Sequence, residues 1–362
     1  MNEAIIGWDI GGAHLKAACI ERDGRVTGVW LVACPLWRGL DQLNLAIDQI
    51  EANIQQARGR QFRHAITMTG EMVDLFEARQ AGVLALAALL AQRFGSDRVH
   101  FYAGKLGWLN AEQACQQTQY IASANWHATA HLISTRISDA LLIDIGSTTT
   151  DLIPIRNNQI ATTSNNDYDR LSAGELVYTG VARTPVMAMA NEAPVAGHFT
   201  PLMSELFATS SDVYRILGLL PEEADLHSST DGSAKTPIAS RMRLARMVGR
   251  DAAELPDNAW DELAAWLADA QVTLIGRALR QVLSRGNLTN KAPLIIAGIG
   301  GFLGSRIAAR FERPIIPFSH ILDAQDSRHM IDWCAPAVAV GQLLAMRPQF
   351  PNIHVSENPL CG

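Results

Sequence analysis

The sequence predicts an α/β protein built from two duplicated halves, and three observations carry that reading. Two distant stretches are nearly alike, Asp9-Ile10-Gly11-Gly12-Ala13-His14 and Asp144-Ile145-Gly146-Ser147-Thr148-Thr149, each after an apolar run over residues 4–8 or 140–143. Two helical stretches, 110–135 and 335–346, are rich in small residues. A glycine turn, Gly298-Ile299-Gly300-Gly301, follows a late apolar run over 292–297. Strand, acidic residue and glycine turn therefore recur in the same order.

Taken in order, residues 4–10, 15–21 and 26–33 read as short strands. Arg22-Asp23-Gly24-Arg25 forms the turn before the third, because Asp-Gly between apolar runs signals a hairpin. Residues 41–56 read as a helix, with Leu43, Ala46, Ile47, Ile50 and Ile54 on one face. A buried strand over 64–69 ends at Gly70-Glu71, helices are expected over 71–77 and 80–93, and a strand over 99–102. In the stretch 110–135, Ala122, Ala124, Ala128 and Ala130 suit a helix packed closely across a domain junction.

Strands are expected to resume over 142–155 and 160–163. From about 185 to 290 the texture changes to helices and polar loops; Pro221, Gly232 and Pro237 mark 221–237 as a loop. A long helix over 259–284 is expected, capped by Asp257 or Asn258 and ended by Gly286. These elements divide the chain into a first domain over 1–135, with the first loop, and a second over 136–330, with the second loop and a helical insertion at about 185–290. Residues 331–362 then form a crossing helix that returns towards the first domain.

Composition narrows the function. Hydrophobic content of 48% supports a well-filled core. A net charge of −6 with no basic stripe argues against nucleic acid as a partner. Asn2 and Glu3 precede a short apolar run that already contains Asp9, which does not read as a signal peptide. The apolar run over 83–90 is too short to span a bilayer. Cys19, Cys34, Cys115, Cys334 and Cys361 are odd in number and show no metal-ligand spacing, which points to a reduced, cytoplasmic protein. Small molecules are the expected partners, and a homo-oligomer is compatible with everything above.

The two glycine loops carry the chemistry. Gly11 and Gly12, and Gly146 with Ser147, Thr148 and Thr149, let the backbone approach a phosphate and aim N–H and O–H groups at it. Asp9 and Asp144 repel phosphate directly, so their expected use is to hold Mg²⁺, with Asp151 one layer behind. Two such loops facing one another would grip a phosphate chain. Lys16 is a candidate for neutralising phosphate charge, and equally a solvent-facing strand lysine. Glu71, just after a strand-end glycine, is a candidate general base; Asp74 is a weaker one. His14 and His127 are candidate metal ligands only if they are not lone histidines.

The order of loops, crossing helices and late glycine turn resembles the actin, sugar-kinase and Hsp70 superfamily of duplicated ribonuclease H-like domains around a central cleft. In that pattern Gly298, Gly300 and Gly301 form the nucleoside-side turn. Further stretches resemble one branch of the hydantoinase A and oxoprolinase-like proteins: Cys34-Pro35-Leu36-Trp37-Arg38-Gly39-Leu40, Thr67-Met68-Thr69-Gly70-Glu71 and Ala124-Asn125-Trp126-His127-Ala128-Thr129-Ala130. Gly174-Glu175-Leu176-Val177-Tyr178-Thr179-Gly180, Arg183-Thr184-Pro185, Asp212-Val213-Tyr214 and Arg243-Leu244-Ala245-Arg246-Met247 belong to the same pattern.

That branch is associated with tetrahydromethanopterin-linked one-carbon metabolism and methanofuran biosynthesis. The resemblance implies a transferase that condenses 5-(aminomethyl)furan-3-methyl diphosphate with γ-glutamyltyramine, forming an aryl ether and releasing diphosphate. It implies Mg²⁺ at Asp9 and Asp144 and does not require ATP. Gly174, Glu175, Tyr178, Arg183 and Thr184 would shape the substrate end, with Arg183 suited to a phosphate or carboxylate. Tyr178, Asn125 and Trp126 read at least as well as packing. His14 departs from the Thr, Ser or Asn usual in the superfamily's kinases and ATPases. Two other readings stand beside the transferase: an ATP-dependent kinase or oxoprolinase-type hydrolase, and a non-catalytic nucleotide-sensing factor.

Overall fold

Near-continuous apolar runs in the first third of the chain build the central strands of a sheet. The computed structural model describes residues 4–54, 61–286, 288–322 and 329–347. Two units partition it: Met1–Leu132 with Cys334–Gly362, and Ile133–Trp333.

In the first unit, β1 (Ala4–Ile10), β2 (His14–Ile20), β3 (Val26–Ala33), β4 (Phe62–Met68), β5 (Val99–Tyr102) and β6 (Trp108–Leu109) form one sheet in the order β3-β2-β1-β4-β5-β6. β1 runs antiparallel to β2 and parallel to β4, and β4 runs parallel to β5. Every residue of β1 is buried, as a strand covered on both faces requires. Ile6, Trp8 and Ile10 share a core with Leu43 and Ile47 of the helix Asp41–Asn53 and Leu86 of the helix Arg79–Phe94. Each such fully buried side chain contributes roughly 1.5–3 kcal/mol. On the other face, Gly7 meets the helix Ala335–Ala345 so closely that a Cβ would strike Ala337 O and stand 2.8 Å from Gly341 N. The small residues of that helix are thus what lets it lie on β1.

The second unit repeats the path. β7 (Ala140–Ile145), β8 (Thr150–Arg156), β9 (Gln159–Ile160) and β10 (Leu176–Val177) are followed, beyond a hairpin of β11 (Glu192–Val195) and β12 (His198–Pro201), by β13 (Leu294–Ala297) and β14 (Ile315–Pro317). The sheet order is β10-β8-β7-β13-β14, with β9 also on β8. β7 therefore corresponds to β1, β8 to β2 and β13 to β4, with the same antiparallel and parallel senses.

Several expectations need correction. Residues 71–77 are not a helix: a 3-10 turn covers Gly70–Met72, and β-branched Val73 goes extended. The stretch 110–135 breaks into helices Ala111–Gln116, Thr118–Ile121 and Asn125–Ser134. The insertion at 185–290 is not purely helical, since β11 and β12 pair within it, turning through Ala196 and Gly197, both at positive φ. Their prolines, Pro194 and Pro201, hide an alternation that buries Ala193 and Val195. The long helix runs Asp257–Leu283 with Pro256 at its cap position, so neither Asp257 nor Asn258 caps it. The strand expected over 160–163 is only β9.

Cys19, Cys34 and Cys334 are buried, and burial pushes the Cys34 thiol up to about 12. Cys361, Asn2, Glu3 and the last two residues of the expected 41–56 helix lie outside the described residues. Among the described residues no helix is long and apolar enough to cross a membrane.

Candidate active site

The first loop is the tight connection between β1 and β2. Gly11 N donates to His14 O at 3.0 Å, which closes the turn. Leu36 N donates to Gly12 O at 3.1 Å and Cys34 N to Ala13 O at 2.9 Å, so the loop's carbonyls are tied back towards the segment after β3. The N–H groups of Gly12 and Ala13 find no acceptor among the described residues. Consecutive unsatisfied N–H groups in a turn make a concave anion-binding nest. Gly11 and Gly12 are steric necessities: a Cβ would lie 2.7 Å from His14 O at the first and 2.7 Å from Val73 Cγ1 at the second.

Asp9, 3% exposed, lies opposite Lys16 in the β1–β2 register, and Lys16 Nζ reaches its Oδ2 at 3.2 Å. Oδ1 is buried and has no hydrogen-bond partner among the described residues, as is Thr67 Oγ1 beside it on β4. A buried carboxylate oxygen left without a donor is costly unless something else meets it. Glu71 follows at the carboxyl end of β4, 1% exposed, and accepts a hydrogen bond from Ser123 Oγ at 2.9 Å on Oε1. Asp74 sits in the bends after that turn. His14 opens β2 and is 7% exposed.

His127 is not a lone histidine. Tyr102 Oη, at the end of β5, lies 2.8 Å from both His127 Nδ1 and His131 Nδ1. One hydroxyl carries one proton, so it donates to one ring and accepts from the other, and the rings hold opposite tautomers. Burial, with His131 and Lys105 nearby, pushes His127 down to about 4; burial raises the Tyr102 phenol and lowers His131. Both Nδ1 atoms are therefore committed to the phenol. Asn125 Oδ1 accepts from Trp126 N at 2.8 Å, and Trp126 is buried, which is the packing role.

The second loop repeats the first turn. Gly146 N donates to Thr149 O at 2.8 Å; Val181 N donates to Gly146 O at 3.0 Å, and Ala182 and Arg183 N to Ser147 O at 3.1 and 2.8 Å. The N–H groups of Ser147, Thr148 and Thr149 have no acceptor among the described residues. Ser147 and Thr148 add two hydroxyls 3.4 Å apart. A buried network supports the loop from behind: Gln271 Nε2 donates to Thr179 Oγ1 and Gly180 O, and Thr184 Oγ1 donates to Gly180 O.

Asp144, 8% exposed, lies opposite Asp151 across β7–β8. Arg170, almost fully buried, binds Asp151. Gly298, at φ 84°, donates to Asp332 O at 2.8 Å, and Gly300 N donates to Ile145 O at 2.8 Å. Side chains at Gly298 or Gly300 would collide with Ile145. The turn through Gly301 is thereby fixed against the end of β7, where Asp144 stands.

Gly174 and Glu175 are corrected from substrate contacts to architecture. Gly174 ends the helix Asp167–Ala173 in the left-handed conformation. Glu175 is fully buried, and its carboxylate is bound by Arg285 and Thr162. Tyr178 is 62% exposed, which removes the packing reading, and Arg183 is exposed beside the loop it supports. Reading the sequence missed Thr67, Ser123, Tyr102 and His131. Only the pair His127 and His131, four apart on an expected helix, carried a visible signal.

Among the described residues no cluster of three or more His, Cys, Asp or Glu side chains is set to hold a metal. Mg²⁺ needs no such cage, because it keeps waters and takes one or two carboxylates plus phosphate oxygens. Within the first unit, Asp9 Oδ1, buried and without a hydrogen-bond partner among the described residues, is a donor of that kind; within the second, so are the cross-strand carboxylates of Asp144 and Asp151.

Comparison with known proteins adds three findings. The sequence model of the Hydantoinase/oxoprolinase family matches residues 64–321. A Methanocaldococcus jannaschii protein named (4-{4-[2-(γ-L-glutamylamino)ethyl]phenoxymethyl}furan-2-yl)methanamine synthase is 30% identical over 302 residues, 83% of this chain and 87% of that one. A Methanococcus vannielii protein of the same name is 28% identical over 172 residues, 47% of this chain and 76% of its own. Among solved structures, nucleotide-free acetone carboxylase superposes with a TM-score of 0.55 at 11% identity, covering 95% of this chain and 70% of that one. That likeness is to the α/β fold alone, in which the two sheets repeat one strand path.

Proposed function

We propose, from the fact that this chain belongs to the hydantoinase/oxoprolinase family, that it is a transferase forming an alkyl–aryl ether with diphosphate as leaving group. The observation that carries the reading is similarity to the M. jannaschii synthase along most of both chains. The substrates that fit that name are 5-(aminomethyl)furan-3-methyl diphosphate and γ-glutamyltyramine, in the biosynthesis of methanofuran or an analogue. Support also comes from the two loops, each of which has N–H groups with no acceptor among the described residues to offer to phosphate oxygens.

In this reading the bond between the furan methylene and the diphosphate oxygen breaks, and its electron pair leaves with the diphosphate. The furan ring delocalises the positive charge on the methylene, the phenol oxygen forms the new C–O bond, and the phenol proton passes to Glu71. That phenol has a reference pKa of about 10, so it needs a proton acceptor at neutral pH. Lys16 and the hydroxyls of Ser147, Thr148 and Thr149 bind diphosphate oxygens, and Arg183 and the Gly298–Gly301 turn serve the organic part. Mg²⁺ at Asp9 and Asp144, when bound, makes the diphosphate a better leaving group.

The test is diphosphate release by purified protein with Mg²⁺ and both substrates, with ATP alone in parallel and Asp9→Asn as control. Release that needs both substrates, yields the ether and is lost in the variant is the expected result. Silence there with turnover of ATP would replace the transferase by a kinase or hydrolase, and silence in both by a nucleotide-sensing factor.

A further inference from the structure

The helix Thr118–Ile121 ends at Ala122, and the next residue, Ser123, has a positive φ of 52°. Glycine is the usual occupant of this left-handed position after a helix end, because any Cβ is crowded there. The turn itself does not call for serine: Ala122 N donates to Thr118 O at 3.0 Å and Ala124 N to Ile121 O at 3.3 Å, bonds that glycine at 123 would leave intact. The other non-glycine residues at positive φ include Asn157 and Asn158 in the turn between β8 and β9, Ala196 at a hairpin tip and Glu312 at a helix end. Ser123 differs from these in what its side chain reaches.

Serine adds a hydroxyl, and that hydroxyl is buried. Its Oγ donates to Glu71 Oε1 at 2.9 Å and lies 3.4 Å from Met72 Sδ. Glu71 is also confined from the side of the helix Arg79–Phe94. Gly82 in that helix leaves so little room that a Cβ would stand 2.6 Å from Glu71 O and 2.9 Å from its Cβ. A glycine in a helix interior and a non-glycine at a left-handed turn are both locally unfavourable choices. Both are made around one buried carboxylate. A donor fixed on Oε1 stabilises the charged form and orients the group.

We propose that Ser123 is a positioning residue whose hydroxyl, held by a left-handed backbone, fixes the Glu71 carboxylate that takes the phenol's proton. This rests on the transferase reading, in which Glu71 takes that proton.

Ser123→Gly separates positioning from folding, because glycine relieves the strain while deleting the hydroxyl. Its melting temperature is expected to change little, because relief of the left-handed strain offsets the lost hydrogen bond to a buried carboxylate. Its kcat falls about tenfold or more, KM is unchanged, and the acid limb of the kcat–pH profile moves to higher pH as the carboxylate loses a donor. Ser123→Ala is expected to melt lower with the same kinetic loss, and Glu71→Gln to lose the limb altogether. A Ser123→Gly protein with unaltered kcat and pH limb overturns the proposal. If the unaltered protein releases no diphosphate, the transferase reading fails by itself. The Ser123 link is then read from the NMR titration of a ¹³C-labelled Glu71 carboxyl: a higher midpoint in Ser123→Gly supports it, and an unmoved one overturns it.

Discussion

The loop after β1 and the loop after β7 share one backbone and differ in their charges. Each closes with an N–H to carbonyl bond across four residues, Gly11 to His14 and Gly146 to Thr149, and in each the following N–H groups have no acceptor among the described residues. The position opposite the aspartate is Lys16 in the first ladder and Asp151 in the second. Opposite charges facing across a ladder attract and like charges repel. Asp9 thus arrives with its own cation 3.2 Å away, whereas Asp144 faces a second carboxylate that Arg170 holds. The two loops share the turn and differ in the residue across the ladder. The first aspartate is partly neutralised by its cross-strand lysine, and the second faces a carboxylate that an arginine binds.

The largest effects that would break this comparison are catalytic. Asp9→Asn and Asp144→Asn are each expected to lower kcat for diphosphate release by about 100-fold or more, the scale of losing a preorganised electrostatic group. Their Mg²⁺ dependence should differ. Both raise the Mg²⁺ concentration needed for half-maximal rate, Asp144→Asn by more, because Lys16 already neutralises part of the Asp9 charge. Equal shifts in the two titrations would show that the loops share the metal evenly.

The parts of this contrast that were legible from sequence are those carried by neighbours in the chain. Each strand–aspartate–glycine turn lies within a few residues, so the recurrence could be read, whereas the cross-strand partners of Asp9 and Asp144 came only with the structure. The strand over 26–33 and the small-residue helix over 335–346 were legible for the same reason, since periodicity is local. Glu175 was misread because its partner, Arg285, lies on a distant segment that no local pattern connects to it. Ser123 was invisible because its contact with Glu71 exists only once the turn after β4 packs against the end of the helix Thr118–Ile121.

A second difference separates the units as wholes and shows on acidification. Burial, with Arg98 and His100 nearby, holds His64 down to about 3; burial and Arg63 hold His100 down to about 4; His127 is likewise at about 4. All three lie in the first unit. A histidine whose folded pKa is depressed contributes its full stability above the unfolded value of about 6.5 and loses it as pH falls towards the folded value. Each imidazole that stays neutral then costs about 1.4 kcal/mol per pH unit in that window. Hydrogen exchange at pH 7 and pH 5 is expected to show β4 and β5 losing protection while β7 and β13 keep theirs. Equal loss in both sheets would mean that these histidines do not set the acid limit.

The hydroxyls of the second loop have no counterpart in Gly12 and Ala13, and removing them tests whether that asymmetry matters for substrate. Ser147→Ala with Thr148→Val is expected to raise KM for the furan diphosphate about tenfold or more, the worth of one hydrogen bond to a charged group. The melting temperature should not change, because the two hydroxyls bond mainly to each other at 3.4 Å. An unchanged KM would leave the backbone N–H groups as the phosphate ligands and make the two loops equivalent in binding.

The smallest expected effect isolates the turn from its chemistry. Gly11 and Gly146 are equivalent, and neither has the positive φ that by itself excludes a side chain. Their surroundings differ: a Cβ would stand 2.7 Å from His14 O at Gly11 but 3.4 Å from Thr149 O at Gly146. The first distance forces the closing bond of the turn open, and the second is ordinary contact. Gly11→Ala is therefore expected to lose about 1 kcal/mol or more of unfolding free energy, the low end for a local overpacking. Gly146→Ala should be neutral or gain up to about 1 kcal/mol, because alanine restricts the unfolded chain without straining the folded one. Denaturant titration of the two variants decides it. Equal destabilisation would mean that the turns are held with equal tightness and that the contrast between the loops lies in their side chains alone.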